Sequence, residues 1–236
     1  IYTATFTPSA GLSGNASVYV AAAGFADAFG NFNAAASNTV TLSVDTVSPK
    51  VNSITSDLSA LKAGQTTTVR IELSESVSDF TIADLQAVGG TLSGLTGSGS
   101  SYTVIFTPDD NRIDPGSVGV VARSFTDAAG NVSAAGRADA VVMSISTLRP
   151  TATLEARQTK LGMGDVTTVD ITLSESSSNF TLGDLSAKGG TLSDFKSLGD
   201  GIHYSVIFTP EANFTGTGKV TLPNDSFTNE AGNANG

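Results

Sequence analysis

The sequence has 236 residues, only 14% of them charged, with 22 Asp and Glu against 12 Lys and Arg and a formal charge of -10. Such an acidic surface repels nucleic acid and anionic membranes, both of which are bound through Lys and Arg. There is no cysteine and one histidine, His203, which removes thiolate metal sites and thiol nucleophiles and leaves few catalytic options.

In chain order, the first residue is Ile1 rather than Met, so the chain reads as a piece of a longer protein. No apolar run approaches the roughly 18 residues of a membrane span, so no membrane insertion is expected. Residues 1–47 read as the C-terminal part of a repeat, strands E to G, marked by Phe6-Thr7-Pro8, Asp27-Ala28-Phe29-Gly30-Asn31 and the alternating row Val40, Leu42 and Val44. Three strands alone cannot bury a core.

The linker Asp45-Thr46-Val47-Ser48 leads to Pro49 and to a complete repeat, residues 48–149. Its expected strands are A near Lys50–Ser56, B at Thr67–Ser74, C after Asp84, D near Thr91–Leu95, E at Tyr102–Thr107, F at Val118–Phe125 and G at Ala138–Ser146. A short helical turn is expected at Phe80–Leu85, with Asp84 as its cap. The linker Ser146-Thr147-Leu148-Arg149 and Pro150 open a third copy, residues 150–236, that stops before its last strand. Either residues beyond this sequence complete the end copies, or strand exchange with another copy of the chain does.

The copies lie about 100 residues apart. Phe6-Thr7-Pro8 returns as Phe106-Thr107-Pro108 and Phe208-Thr209-Pro210, and Leu73-Ser74-Glu75-Ser76 as Leu173-Ser174-Glu175-Ser176. Asp127-Ala128-Ala129-Gly130-Asn131 returns, degraded, as Asn229-Glu230-Ala231-Gly232-Asn233. Within each copy apolar residues alternate, as in Val69, Ile71 and Leu73, which marks antiparallel sheets packed on one face. About seven such strands per hundred residues predict an all-β chain of immunoglobulin-like β-sandwiches arranged end to end.

Residues Pro49 to Ser146 resemble the bacterial Ig-like repeats of very large biofilm-associated and repeats-in-toxin adhesins. The likeness rests on the Asp-Thr linker, Leu73-Ser74-Glu75, Phe80-Thr81 with Asp84-Leu85, Gly90-Thr91-Leu92, Tyr102 leading to Phe106-Thr107-Pro108, and Phe125-Thr126-Asp127 with Gly130-Asn131. It implies a stalk on the bacterial cell surface, extracellular, that holds a terminal binding region away from the outer membrane. It also implies calcium at the domain junctions as the stiffening device, and neighbouring repeats of the same chain as the partners.

The sandwich geometry points to calcium independently. The end where the chain enters the middle copy collects Asp45 from the linker, Glu75 from strand B, and Asp127 with Asn131 from the F–G loop. Three carboxylates and an amide oxygen are a start for a hard cation that takes six to eight oxygens, and calcium suits such a loose site better than magnesium. Asp27 and Asn31 hold the equivalent loop positions in the first copy. At the second junction Ser146 replaces Asp45 and Asn229 replaces Asp127, leaving Glu175, Glu230 and Asn233, with Asp109, Asp110 and Asp114 of the preceding E–F loop as further donors. The first junction is therefore expected to bind calcium tightly and the second weakly or not at all. The same Asp-x-x-Gly-Asn loop is also a good hairpin turn without any ion.

No nucleophile–base pair is visible, and His203 sits in a D–E turn lengthened by two residues, so no enzymatic activity is expected. A carbohydrate- or protein-binding module is the alternative function. It requires an exposed aromatic patch or a unique loop, and Lys196–His203 is the one loop particular to a single copy.

Overall fold

The structure is a computed structural model and describes residues 1–134 and 140–236. In the first copy β1 (Ser13–Val18) and β2 (Val40–Asp45) form an antiparallel ladder running from Ser13 opposite Asp45 to Val18 opposite Val40. The last residue of that ladder, Asp45, is thus held in register at the mouth of the linker.

The middle copy is a two-sheet sandwich. One sheet orders β3 (Val51–Ser56), β5 (Thr67–Val77) and β7 (Gly90–Pro108); the other orders β4 (Ala60–Lys62), β9 (Val141–Ser146), β8 (Gly116–Val120) and β6 (Leu85–Val88). The alternating rows meet between them: Val69, Ile71, Val104, Phe106, Val118 and Met143 are fully buried. The expected helical turn is a single 3-10 turn, Ile82–Asp84, closed by Asp84 Oδ2, which accepts from the Thr81 backbone N–H at 2.7 Å and its hydroxyl at 3.0 Å.

Three details depart from the sequence reading. Strand A is followed by a short partner, β4, which crosses to the other sheet and pairs parallel with β9, from Ala60 opposite Ser144 to Lys62 opposite Ser146. Three residues are too few to show a period. Strands D and E are one extended run, β7, that doubles back through Gly97 and Gly99 (φ 120 and 68), bringing the Thr96 and Thr103 hydroxyls within 2.9 Å. Strand F ends at Val120 rather than Phe125, because Arg123 takes a left-handed conformation (φ 60) that breaks the ladder, although Phe125 is still buried. The expected start of strand G at Ala138 lies outside the described residues.

The last copy repeats the plan with β10 (Ala152–Ala156), β11 (Thr167–Leu173), β12 (Ser186–Lys188), β13 (Gly190–Ser197), β14 (His203–Pro210) and β15 (Lys219–Thr221). Its larger sheet orders β10, β11, β14 and β13, and its smaller sheet holds β12 and β15. Among the described residues nothing corresponds to β4 or β9. A cavity of about 440 Å³ is lined by Leu154, Leu161, Val169, Phe208 and Val220 among others.

Candidate metal centre

Three segments converge where the first copy meets the second. Asp45 ends β2. Glu75 lies in β5, where pairing with β7 slips between Glu72 and Val77 and frees the chain to turn toward the junction. Asp127 is fixed by a backbone bridge to Val77, two residues beyond Glu75. One carboxylate oxygen from each of Asp45, Glu75 and Asp127 lies within 4.8 Å of the others.

The Asp127 loop is self-ordered. Its Oδ1 accepts from the backbone N–H of Ala129 (2.9 Å) and Asn131 (2.8 Å), while Oδ2 accepts from Asn131 Nδ2 (2.8 Å). Gly130 supplies the left-handed residue this turn requires (φ 86). Asn131 Nδ2 also donates to the backbone carbonyl of Asp45 at 3.1 Å, so one amide ties the F–G loop to the end of the preceding copy.

The electrostatics are unbalanced. Like charges this close repel by an amount on the order of a few kcal/mol per pair. Burial, and then the charges of Asp127 and Asp45, hold the Glu75 carboxyl above its ordinary value. Burial also lifts Asp127, but the hydrogen bonds from Asn131, Ala129 and Gly130 outweigh it and hold the group below the usual range. Glu75 Oε1 is buried with no hydrogen-bond partner. Among the described residues no Lys, Arg or His forms an ion pair with any of the three acids. A buried, unpartnered carboxylate oxygen beside two more carboxylates has the donor chemistry of a hard-cation site. Oxygens that share an ion at about 2.4 Å can stand up to about 4.8 Å apart.

The other candidate residues lie elsewhere. Asp27 and Asn31 reproduce the internal loop geometry, with Asn31 Nδ2 on Asp27 Oδ2 at 3.1 Å, on an exposed loop. Glu230 and Asp110 are exposed and join no group of three converging acids among the described residues. Glu175 faces Asn229, whose Nδ2 donates to Glu175 Oε2 at 2.8 Å, and Asn233 is buried with its Nδ2 on the Ser146 carbonyl at 2.8 Å. His203 opens β14, and its Nδ1 meets Asp200 Oδ2 at 2.6 Å within one exposed turn.

Two devices were missed from sequence. Thr147 Oγ1 donates to the Asp109 carbonyl at 2.7 Å and accepts from the Arg112 N–H at 2.9 Å. Thr46 does the same in the first copy, on the Ser9 carbonyl (2.8 Å) and the Leu12 N–H (2.8 Å). Each linker is thereby pinned to the E–F loop of the copy it leaves, and the recurring Thr after Asp45 and after Ser146 was the available signal. In addition, Asp79 Oδ1 and Oδ2 accept from the Thr126 N–H, and Asn179 Oδ1 from the Thr228 N–H, fastening the B–C loop to the F–G loop in both sandwiches.

A model of the bacterial Ig-like domain matches residues 1–44, 45–145 and 146–236. No curated protein matches the sequence. Among solved structures, the chain shows similarity to the adhesin InvE of Yersinia pseudotuberculosis, with 13% identity and a TM-score of 0.31, over 65% of this chain and 50% of that one. The chain therefore spans about half the length of that structure. With all three copies matched, the chain belongs to the bacterial Ig-like domain family.

Proposed function

We propose that this chain is a non-enzymatic stalk segment of a large extracellular bacterial adhesin, of the biofilm-associated or repeats-in-toxin kind. In this reading calcium held by Asp45, Glu75 and Asp127 stiffens the first junction. The observation that carries the calcium part is the meeting of three carboxylates from both sides of one short linker, with Glu75 Oε1 buried and unpartnered. The stalk part is supported by end-to-end repeats that share the same linker pins and the same loop staples.

The chemistry follows from the placement. Asp45 belongs to the preceding copy, and Glu75 and Asp127 to the following one. A cation shared among them neutralises repulsion that otherwise pushes the two copies apart. An ion present at 100 times its dissociation constant stabilises the folded state by about 2.7 kcal/mol, and the bridge also removes hinge freedom. The working partners are the neighbouring repeats.

Thermal unfolding and small-angle scattering, in millimolar calcium and in chelator, test this. Calcium is expected to raise the melting temperature by several degrees and to lengthen the scattering envelope. Asp45→Ala and Asp127→Ala are expected to abolish both responses. Identical curves in calcium and chelator would remove calcium from the mechanism.

A further inference from the structure

We propose that the second junction is a cation-independent joint, in which the Asn229 carboxamide supplies the hydrogen-bond donor that takes the place of a bound metal. The equivalence is atom for atom. Asp127 Oδ1 accepts from the Asn131 N–H at 2.8 Å, and Asn229 Oδ1 accepts from the Asn233 N–H at 2.8 Å. That contact fixes which end of the Asn229 amide is oxygen. The NH2 group therefore stands where Asp127 carries its second carboxylate oxygen.

From there Asn229 Nδ2 reaches two acceptors, Glu175 Oε2 at 2.8 Å and the Leu148 carbonyl at 3.2 Å. One is the counterpart of Glu75, and the other lies in the linker. Ser146 stands where Asp45 stood, so the three carboxylates of the first junction are reduced to one, which is paired by a neutral donor at Oε2 while its Oε1, like that of Glu75, is buried without a hydrogen-bond partner. A hydrogen bond to a charged group is among the stronger kinds, and with one carboxylate in place of three the mutual repulsion that a cation would relieve is absent.

A second set of contacts crosses this joint, one of them the counterpart of the bond from Asn131 to the Asp45 carbonyl at the first. Asn233, 1% exposed, donates to the Ser146 carbonyl at 2.8 Å, while its Oδ1 accepts from the Ala63 N–H at 2.7 Å. Ala63 sits in the turn between β4 and β5, so the middle copy grips the last copy through backbone as well as linker. Arg149 Nη1 adds a longer contact to Asp225 at 3.4 Å. Linker, middle copy and last copy are thus joined by direct bonds. Taken with the proposed calcium at the first junction, one chain then carries a calcium-dependent joint and a calcium-independent one: chelation loosens the first and leaves the second closed.

The test uses the full chain and hydrogen exchange of the Ala63 amide, alongside melting curves, in chelator and again in calcium. Wild type is expected to protect Ala63, with protection unchanged by adding calcium. Asn229→Asp places a carboxylate against Glu175 and is expected to speed that exchange at least about tenfold and lower the melting temperature of the last copy by about 5 °C. Asn229→Ala, which removes the donor without adding charge, is expected to weaken protection in the same direction. Adding calcium to Ser146→Asp/Asn229→Asp is expected to restore what that variant loses. Protection of Ala63 that vanishes when wild type is chelated, or an Asn229→Asp variant that exchanges like wild type, overturns the proposal. Because the Ala63 amide lies at the second joint and the melting readout is that of the last copy, they decide this joint whether or not the first junction holds an ion.

Discussion

Asn131 donates its side-chain amide to the backbone carbonyl of Asp45 at 3.1 Å, across a separation of 86 residues, and the same nitrogen donates to Asp127 at 2.8 Å. The residue thus holds the preceding copy and orders the acid loop with one group. Asn131→Ala is expected to cost about 1–2 kcal/mol in chelator, since one hydrogen bond to a charged group and one to a carbonyl are lost. Chemical denaturation with a probe in the middle copy measures it, and calcium is expected to recover only part of the loss.

Asp127→Asn rebuilds the second junction's chemistry at the first. The new amide is expected to donate to Glu75, as Asn229 donates to Glu175, and to lift the melting temperature in chelator by a few degrees. The same variant is expected to lose its response to calcium. Calorimetric titration with calcium, compared with wild type, checks both halves.

Glu75 sets a pH dependence. Burial, then Asp127 and Asp45, hold its folded carboxyl above the ordinary 4.5. The native state therefore keeps that proton more tightly than the unfolded chain. Without an ion, stability falls as pH rises from 4.5 through the folded value. Glu75→Gln in chelator is expected to melt higher than wild type at pH 7, with the gap closing as pH drops toward about 4. In calcium the order is expected to reverse, because the variant has lost a charged ligand.

Thr147 is 2% exposed and satisfies both the Asp109 carbonyl and the Arg112 N–H. Thr147→Val keeps the shape but strands both groups, at a cost of about 1–3 kcal/mol. The expected signature beyond stability is a broader scattering envelope, because the linker is released from the E–F loop. Thr46→Val is expected to act in the same direction with a smaller cost, since Thr46 is only half-buried.

The sandwich was legible because period-two rows such as Val69, Ile71 and Leu73 repeat at fixed spacing, and burial alone decides their face. The gathering of Asp45, Glu75 and Asp127 at one end followed from strand order, which fixes the loops that share an end. Short-range features were less visible. The parallel strand Ala60–Lys62 has no period, and Thr46 and Thr147 look like ordinary linker residues until the E–F loop is in place. Asn229 was the most instructive miss. Read as a formula it is Asp127 minus a charge, but in place it is a donor aimed at Glu175.

The parallel pairing of β4 with β9 also determines how the middle sandwich carries tension. The chain enters near Pro49 and leaves through Ser146 at the end of β9. A pull on the two ends drags β9 lengthwise past β4, so the pairs from Ala60–Ser144 to Lys62–Ser146 are loaded together. Bonds strained in shear share the force and fail as a group, whereas bonds peeled from one end fail singly at lower force. A three-residue strand that gives the core a single buried side chain, Leu61, thus becomes the mechanical clamp of the repeat.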